Sequence, residues 1–226
     1  MRVLAAALIA VVAAACVPQA PYVRPQMDRP AHERPVMDNR PAMERPAIII
    51  PPPPPMPDFD LDLGEEYAAC DKFDPLFIAA AIRWAPLEMK HEYPRWLKAQ
   101  AFKESTCNPN VCHKTDDSCG LMQHLLGTAI DMGITDRFDP VQSVNGGARY
   151  MAWNFGQFRA HDRTPLQRQR IALDAYRRGI GNVLADQQKW ACILWEDCFR
   201  HYASDLSRRY VDGISAIVGY PLEELS

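Results

Sequence analysis

One glutamate of this sequence is placed where a single carboxyl group could do acid–base chemistry. The stretch AFKESTCNPN (residues 101–110) sets Glu104 beside Ser105, at the point where a predicted helix over 93–105 runs into a polar loop. The segment CGLMQ (119–123) follows shortly after. A proton donor has to be held rigidly and still reach into a groove. We therefore predict that Glu104 lies at the wall of a cleft, with the CGLMQ segment at its opposite edge.

A second acid could share that cleft. Asp116 and Asp117 lie in the loop that precedes CGLMQ. If one of them faced Glu104, the pair would supply the two carboxyl groups with which most glycosidases hydrolyse a sugar bond. The alternative is that both aspartates only form a turn, where Asp is a common residue. The sequence leaves this choice open.

The elements that must position these residues are predicted to be mainly α-helical. Apolar residues recur at helical spacing over 74–89, where Asp74 and Pro75 form a typical helix start. The stretch 115–123 is rich in turn residues and could hold a small β-hairpin. No long alternation of polar and apolar residues indicates a large sheet. Further helices are predicted at 93–105, 127–133, 140–159, 165–177 and 192–217.

The N-terminus reads as an export signal. Residues 1–15 combine one early arginine with an apolar stretch that ends in small residues, and this stretch is too short for a mature membrane-spanning helix. The following AAAC resembles the lipobox of bacterial lipoproteins, which would make Cys16 a lipidated N-terminus and the membrane a partner. Val17 is no aspartate-type retention signal, so we expect a periplasmic protein anchored to the outer membrane. Ordinary signal cleavage nearby is the alternative.

Residues 16–66 are predicted to form an extended, proline-rich tether. Arg-Pro recurs at 24, 29, 34, 40 and 45, and PPPPP follows at 51–55. Proline removes a backbone donor and favours polyproline II, so neither a helix nor a central strand is expected. The repeats could act as a spacer or could bind the anionic cell wall. The composition changes near residue 67, so the folded domain is placed at 67–226.

The cysteine count indicates disulfide bonds. Without Cys16, six of the seven cysteines remain, an even number in an exported chain, which allows fifteen connectivities. A zinc site at Cys107, Cys112, His113 and Cys119 is the alternative, although the usual C-x₂-C spacing of structural zinc sites is missing. We predict a local Cys192–Cys198 bridge and a bond from Cys70 to the 107–119 loop.

The formal net charge of −3 argues against nucleic acid as a partner, because a basic surface is the usual footprint of such proteins. A weakly acidic chain is no obstacle to a carbohydrate ligand. The composition, with 48% hydrophobic and 23% charged residues, suits a globular domain.

Four blocks between residues 98 and 186 resemble the soluble lytic transglycosylase (SLT) family, whose relatives include goose-type lysozyme. AFKESTCNPN is similar to the family's glutamate–serine block, and CGLMQHLLGTAIDMG to its Gly-Leu-Met-Gln block. FDPVQSVNGGARYM (138–151) is similar to its Asp-Pro block, and ALDAYRRGIGNV (172–183) to its Ala-Tyr-Asn block. The blocks come in the family's order, so the resemblance implies a mainly α, lysozyme-like domain.

The resemblance also implies an activity. Murein lytic transglycosylases cleave the β-1,4 bond between MurNAc and GlcNAc in peptidoglycan and form 1,6-anhydro-MurNAc, without a cofactor or a metal. Since the sugar's own hydroxyl attacks, one carboxyl group can serve as acid and then as base. Glu104 would be that group, with a pKa raised by an apolar setting to which Phe102, Leu121 and Met122 could contribute.

The family pattern assigns further residues to the substrate groove. Ser105 would bond near the acid, although it could simply end a helix. Gly120 would allow a close backbone approach, and Gln123 would line the groove. Tyr176 would place its hydroxyl near the acid or the reacting sugar. Met122 and Tyr150 would line or border the groove, or could pack in the core.

One residue departs from the family pattern. The family has Asn after the tyrosine of the last block, whereas this chain has Arg177, which is cationic and can only donate hydrogen bonds. Two alternatives therefore stay open beside the transglycosylase: a hydrolytic muramidase on the same fold, and a peptidoglycan-binding scaffold without catalysis. A wall-spanning or cell-envelope machine could be a partner of the enzyme.

Overall fold

The computed structural model describes residues 59–160 and 162–222, and in this part of the chain the architecture is helical, with no β-strand. The predicted signal peptide, Cys16 and the Arg-Pro repeats lie outside the described residues. None of the described helices is long and apolar enough to cross a membrane. The α-helices are α1 (Asp74–Trp84), α2 (Tyr93–Ser105), α3 (Leu126–Met132), α4 (Pro140–Gln157), α5 (Pro165–Arg178), α6 (Ile180–Trp190), α7 (Arg200–Tyr202) and α8 (Asp205–Ile217).

Local signals set where these helices begin. Helices α1, α2, α4 and α5 each have a proline in the first turn, where its missing N–H would have had no partner anyway. Asp139 caps α4 by accepting a hydrogen bond from the Val141 amide. Thr164 and Gln167 form a capping box at the start of α5. The predicted helices over 93–105, 127–133, 140–159 and 165–177 are confirmed to within two residues.

The core forms around α5, which packs on α4, α6 and α8, while α1 packs on α2 and α4. Residues 168–175 of α5 are all buried, so this helix runs through the interior, and its last turn carries Tyr176 and Arg177. Tyr93 in α2 is also buried and its hydroxyl donates to the Ala148 carbonyl of α4 at 2.7 Å. This bond holds the first turn of α2 against α4.

A buried lysine ties the N-terminal segment to α2. The Lys98 side chain is 1% exposed, and its ammonium lies 2.7 Å from Asp71 and 3.0 Å from Asp74. It also donates to the Leu61 carbonyl at 2.8 Å, and Leu61 is itself buried. A buried ammonium is tolerated only when it is paired in this way. The packed part of the chain therefore begins before residue 67.

The six cysteines of the domain form three disulfides. Cys70 pairs with Cys107, Cys112 with Cys119, and Cys192 with Cys198. The predicted local bridge and the predicted bond from Cys70 to the 107–119 loop are both confirmed. The zinc alternative conflicts with this pairing, because sulfurs that are bonded to each other are not thiolate ligands.

Three predictions about elements need correction. The helix predicted over 74–89 ends at Trp84, and a short 3-10 turn (Leu87–Met89) follows after Ala85 and Pro86. Residues 192–217 do not form one helix. The Cys192–Cys198 bridge closes a short loop that runs into a π-helical turn (Trp195–Phe199), α7 follows this turn, and Ser204 caps α8. Helix α6 was not predicted, because it follows α5 after the single residue Gly179 at a φ of 86°. The region of the proposed hairpin holds two isolated antiparallel bridges instead of strands.

Candidate active site

Glu104 stands at the edge of a cleft of about 270 Å³. The last turn of α2 presents the carboxyl group, the loop around CGLMQ forms another wall, and α4 and α5 complete it. The predicted position at the wall of a cleft therefore matches the structure. The lining residues are Lys103, Glu104, His113, Asp116, Ser118, Gln123, His124, Leu125, Thr128, Tyr150, Tyr176 and Arg177.

The surroundings of Glu104 favour its neutral form. Burial raises the pKa of the carboxyl group from 4.5 to about 7, and the negative charge of Asp116 acts in the same direction. A hydrogen bond from Tyr210 and the positive charge of Arg177 act against this rise without cancelling it. A carboxyl group with a pKa near 7 can deliver a proton at neutral pH and take one back.

Tyr210, which comes from α8, also contacts the acid and is not predicted from the sequence. Its hydroxyl donates a hydrogen bond to Oε1 of Glu104, and it accepts one from the Gln100 amide at 3.1 Å. Gln100 lies one turn before Glu104 on α2, so α2 and α8 hold the carboxyl from two sides. The buried positions Tyr210, Val211 and Ile214 are at helical spacing, which indicates a buried face but not the helix it packs against.

Two hydroxyl groups hold the CGLMQ segment in place. Ser105 Oγ donates to the Leu121 carbonyl at 2.8 Å, and Tyr176 donates to the Met122 carbonyl at 2.8 Å. The Met122 side chain is fully buried and would lie 3.0 Å from a Cβ on Gly147. Ser105 and Met122 thus lie outside the cleft-lining set, whereas Tyr176 both lines the cleft and supports its wall.

Gly120 shapes the same segment through its backbone. It has a φ of 83°, and a Cβ at this position would lie 1.8 Å from the Arg137 carbonyl oxygen. Only glycine fits there. The loop then turns so that Gln123 lines the cleft, where its amide donates to the carbonyls of Val111 and Gly120 at 3.0 and 2.7 Å. Gly120 therefore acts on the cleft indirectly.

Of the two loop aspartates, only Asp116 lines the cleft. Asp117 pairs with Arg137 at 3.2 Å and does not line the cleft. Asp116 does line it and accepts from the hydroxyl and the amide of Ser118 at 2.8 and 3.1 Å. These bonds lower the pKa of Asp116, so it is ionised where Glu104 is protonated.

Aromatic side chains continue the cleft at one side. The Tyr150 ring lies 5.2 Å from Tyr176 and 6.0 Å from Trp153, to which it is nearly parallel. Tyr150 and Thr128 also line a second cavity of about 380 Å³, together with Asp131, Arg149 and Trp153. Trp153 is 47% exposed. The two cavities share a wall and could hold a ligand longer than one sugar ring.

The helical fold and the half-buried Glu104 at the edge of the cleft are together typical of a lysozyme-like domain. A sequence profile described as the transglycosylase SLT domain matches residues 85–191. This stretch of the chain is similar to the SLT family, in agreement with the resemblance of the four sequence blocks. The matched range contains Glu104 and all the cleft-lining residues, but it ends before Tyr210.

The chain is also similar to proteins named membrane-bound lytic murein transglycosylase F. The relative from Shewanella pealeana is 37% identical over 153 residues, which cover 60% of this chain and 31% of the relative. That from Alteromonas mediterranea is 33% identical over 121 residues, or 51% of this chain and 26% of the relative. The relative from Vibrio cholerae is 33% identical over 129 residues, which cover 49% of this chain and 23% of the relative. The chain thus spans less than a third of the length of these relatives.

Proposed function

We propose that this protein is a murein lytic transglycosylase, which cleaves the β-1,4 bond between MurNAc and GlcNAc and leaves a 1,6-anhydro-MurNAc end. The observation that carries the proposal is Glu104, a carboxyl group with a pKa of about 7 at the edge of a cleft. The names of the relatives, which contain "lytic murein transglycosylase", and the SLT match support the same substrate class.

The proposed reaction needs one carboxyl group. The protonated Glu104 donates its proton to the glycosidic oxygen, and the bond between that oxygen and C1 of MurNAc breaks. The 6-hydroxyl of the same MurNAc attacks C1, and its proton passes to the Glu104 carboxylate. The acid is restored and no water is consumed. Tyr210 holds Oε1 of Glu104 throughout, which keeps the group aimed into the cleft.

A hydrolytic muramidase is the second candidate, and Asp116 is the observation that favours it. This ionised aspartate lines the same cleft as the protonated glutamate. Two carboxyl groups in opposite protonation states are the arrangement that hydrolysing glycosidases use. In that case Asp116 would activate a water or stabilise the positive sugar, and the product would have a reducing end.

Mass analysis of the products tests the proposal against this candidate. Murein digested by the full chain should give muropeptides that end in 1,6-anhydro-MurNAc, each lighter by one water than the hydrolysis product. Asp116→Asn should keep this product type, because the anhydro route uses no second carboxyl. Reducing-end products from the wild type that disappear in Asp116→Asn would assign the protein to the hydrolases.

The pH dependence should follow the Glu104 carboxyl. Because the acid must be protonated and its pKa is raised to about 7, kcat/KM should be constant in mildly acidic buffer and fall as the pH rises through 7. Above that value it should fall about tenfold per pH unit, with the protonated fraction. Initial rates on soluble glycan strands across a pH series measure this. A rate that rises through pH 7 would contradict the assignment of Glu104 as the acid.

Tyr210→Phe should move this profile in a defined direction. The tyrosine's hydrogen bond favours the ionised carboxylate, so its removal should raise the Glu104 pKa and shift the descending limb to higher pH. Tyr220→Phe is a matched control, since Tyr220 also donates to an acid, Glu92 at 2.8 Å, away from the cleft. An unchanged limb in Tyr210→Phe would remove Tyr210 from the acid's support.

We also infer that the domain works in the cell envelope, on an anchor at Cys16. The export-type N-terminus supports this location, as does the word "membrane-bound" in the names of the relatives. Labelled palmitate should enter the wild type and not Cys16→Ala. An unlabelled, freely soluble wild-type protein would overturn the anchor and leave the proposed activity untouched.

A further inference from the structure

Two cations lie beside the candidate acid, and the proposed reaction uses neither. Lys103, next to Glu104 on α2, and Arg177, at the end of α5, both line the cleft. The guanidinium of Arg177 lies 5.4 Å from the centre of the Tyr210 ring, within the range of a cation–π contact. Arg177 is therefore held at the cleft by the residue that also holds Glu104, although its side chain is exposed.

The Lys103 side chain lies against Gly213 of α8, where a larger residue would crowd it. A Cβ on Gly213 would lie 2.7 Å from Cε of Lys103 and 2.8 Å from its Nζ. Gly213 is three residues after Tyr210 on α8, so the two positions lie on one face of the helix. The missing side chain of Gly213 leaves room for the Lys103 ammonium, and both residues also line a neighbouring cavity of about 370 Å³. The Arg177 guanidinium lies over the Tyr210 ring.

Neither cation has an acidic partner in the described part of the chain, where no carboxylate oxygen lies within 4 Å of their nitrogens. Several other arginines in the described residues do pair with carboxylates, among them Arg137 and Arg168. Arg178, the next residue, contacts Asp174 at 2.7 Å and Asp186 at 2.6 Å. Asp116, the acid on the loop wall, is engaged by Ser118 and lies 3.4 Å from His113. The cleft thus offers positive charge that its own residues do not neutralise.

We propose that Arg177 and Lys103 form a carboxylate-binding subsite that recognises the acidic arm of the muramyl residue. This deepens the proposed function and rests on it. A muramyl residue carries a lactyl ether that ends in a carboxylate or continues into a peptide stem with carboxylates, whereas chitin-type sugars carry none. The planar fork of an arginine pairs with a carboxylate in a bidentate manner, which the family's Asn cannot do.

The same cations could instead act only on Glu104, whose pKa the positive charge of Arg177 lowers. If the cations act only on the Glu104 pKa, they do not contact the ligand. They would change the rate with every substrate alike, whether neutral or acidic. Binding measured with ligands that differ only in their carboxylates separates the two uses.

The experiment uses the full chain with Glu104→Gln, which should bind glycan without cleaving it. Calorimetric titration compares a neutral chito-oligosaccharide, a peptide-free murein glycan of equal length with free lactyl carboxylates, and stem-bearing glycans with free or amidated stem carboxylates. Adding Arg177→Gln or Lys103→Gln should weaken binding of the acidic ligands roughly tenfold, the effect of one charge-assisted hydrogen bond, and leave the chito-oligosaccharide unchanged.

The ligand arms identify the source of the carboxylate. If the subsite recognises the lactyl group, the Arg177→Gln and Lys103→Gln variants should bind the peptide-free glycan more weakly. If it recognises the stem, these variants should lose affinity only for the stem-bearing glycan with free carboxylates. Gly213→Ala, which crowds Lys103 without removing charge, should weaken the same ligand by a smaller factor. Arg209→Gln, an exposed arginine of α8 that does not line the cleft, is the matched control for lost charge and should change nothing.

An equal loss of affinity for neutral and acidic ligands, or no loss of affinity in either variant, would overturn the proposed subsite. In that case the wild type would still release anhydro products from murein, and the proposed function would stand. A wild type that neither cleaves murein nor binds any of these glycans would overturn both.

Discussion

Glu104→Gln should remove glycan cleavage without unfolding the domain. General acid–base catalysis is worth about 10²- to 10⁴-fold, and since one group serves both proton transfers here, we expect a loss at or beyond the upper end. The amide oxygen of glutamine can still accept the Tyr210 hydrogen bond, so the local structure should persist. Release of soluble muropeptides from purified murein measures activity, and circular dichroism measures folding.

Glu65→Gln is the control for this variant, because Glu65 is an exposed acid that does not line the cleft. It should retain wild-type activity. A folded Glu104→Gln protein that cleaves murein at the wild-type rate would rule out the mechanism. A wild type that binds murein but never cleaves it would instead support the scaffold alternative raised by the sequence.

The second large effect should come from the Cys70–Cys107 disulfide. Replacing both cysteines with alanine should lower the free energy of unfolding by about 4 kcal/mol, because the bond closes a loop with a sequence separation of 37 residues and so restricts the unfolded chain. Urea unfolding of the double variant and the wild type measures the difference. Both half-cystines are buried, so lost packing adds to the effect.

The Cys192–Cys198 pair is the internal control for the disulfide prediction. Its sequence separation is only 6 residues, so the same replacement there should cost about 2 kcal/mol. Equal losses in the two double variants would show that loop length does not set the effect. A loss below about 1 kcal/mol at Cys70 and Cys107 would contradict the stabilising role.

The Cys70–Cys107 bond also matters for the site because of where the chain leaves α2. Thr106 and Cys107 follow directly after Glu104 and Ser105, and both have left-handed backbones, with φ of 50° and 57°. Non-glycine residues seldom adopt this conformation. The bond from Cys107 to the N-terminal segment holds this turn, so it helps to keep the end of α2 and its carboxyl group in position.

Much of the fold could be predicted because its signals are local. Prolines and caps lie within one turn of the helix ends that they set, so α2, α4 and α5 were correctly placed. Glu104 at a helix end follows from the same reasoning. Predictions failed where a distant contact or a single residue decides, as with the bridged loop at 192–198 and the α5–α6 junction at Gly179.

By itself, the sequence determined which chemistry is present: one glutamate at a helix end, a tyrosine block, an even set of cysteines and the family resemblance. Only the tertiary structure decided which side chains meet. Tyr210 reaches Glu104 from 106 residues away, Asp116 enters the cleft while its neighbour Asp117 pairs with Arg137, and Arg177 is held over Tyr210. Periodicity indicates that a helix face is buried but not the face it packs against, and the direction of a loop side chain is set by partners far away in the sequence.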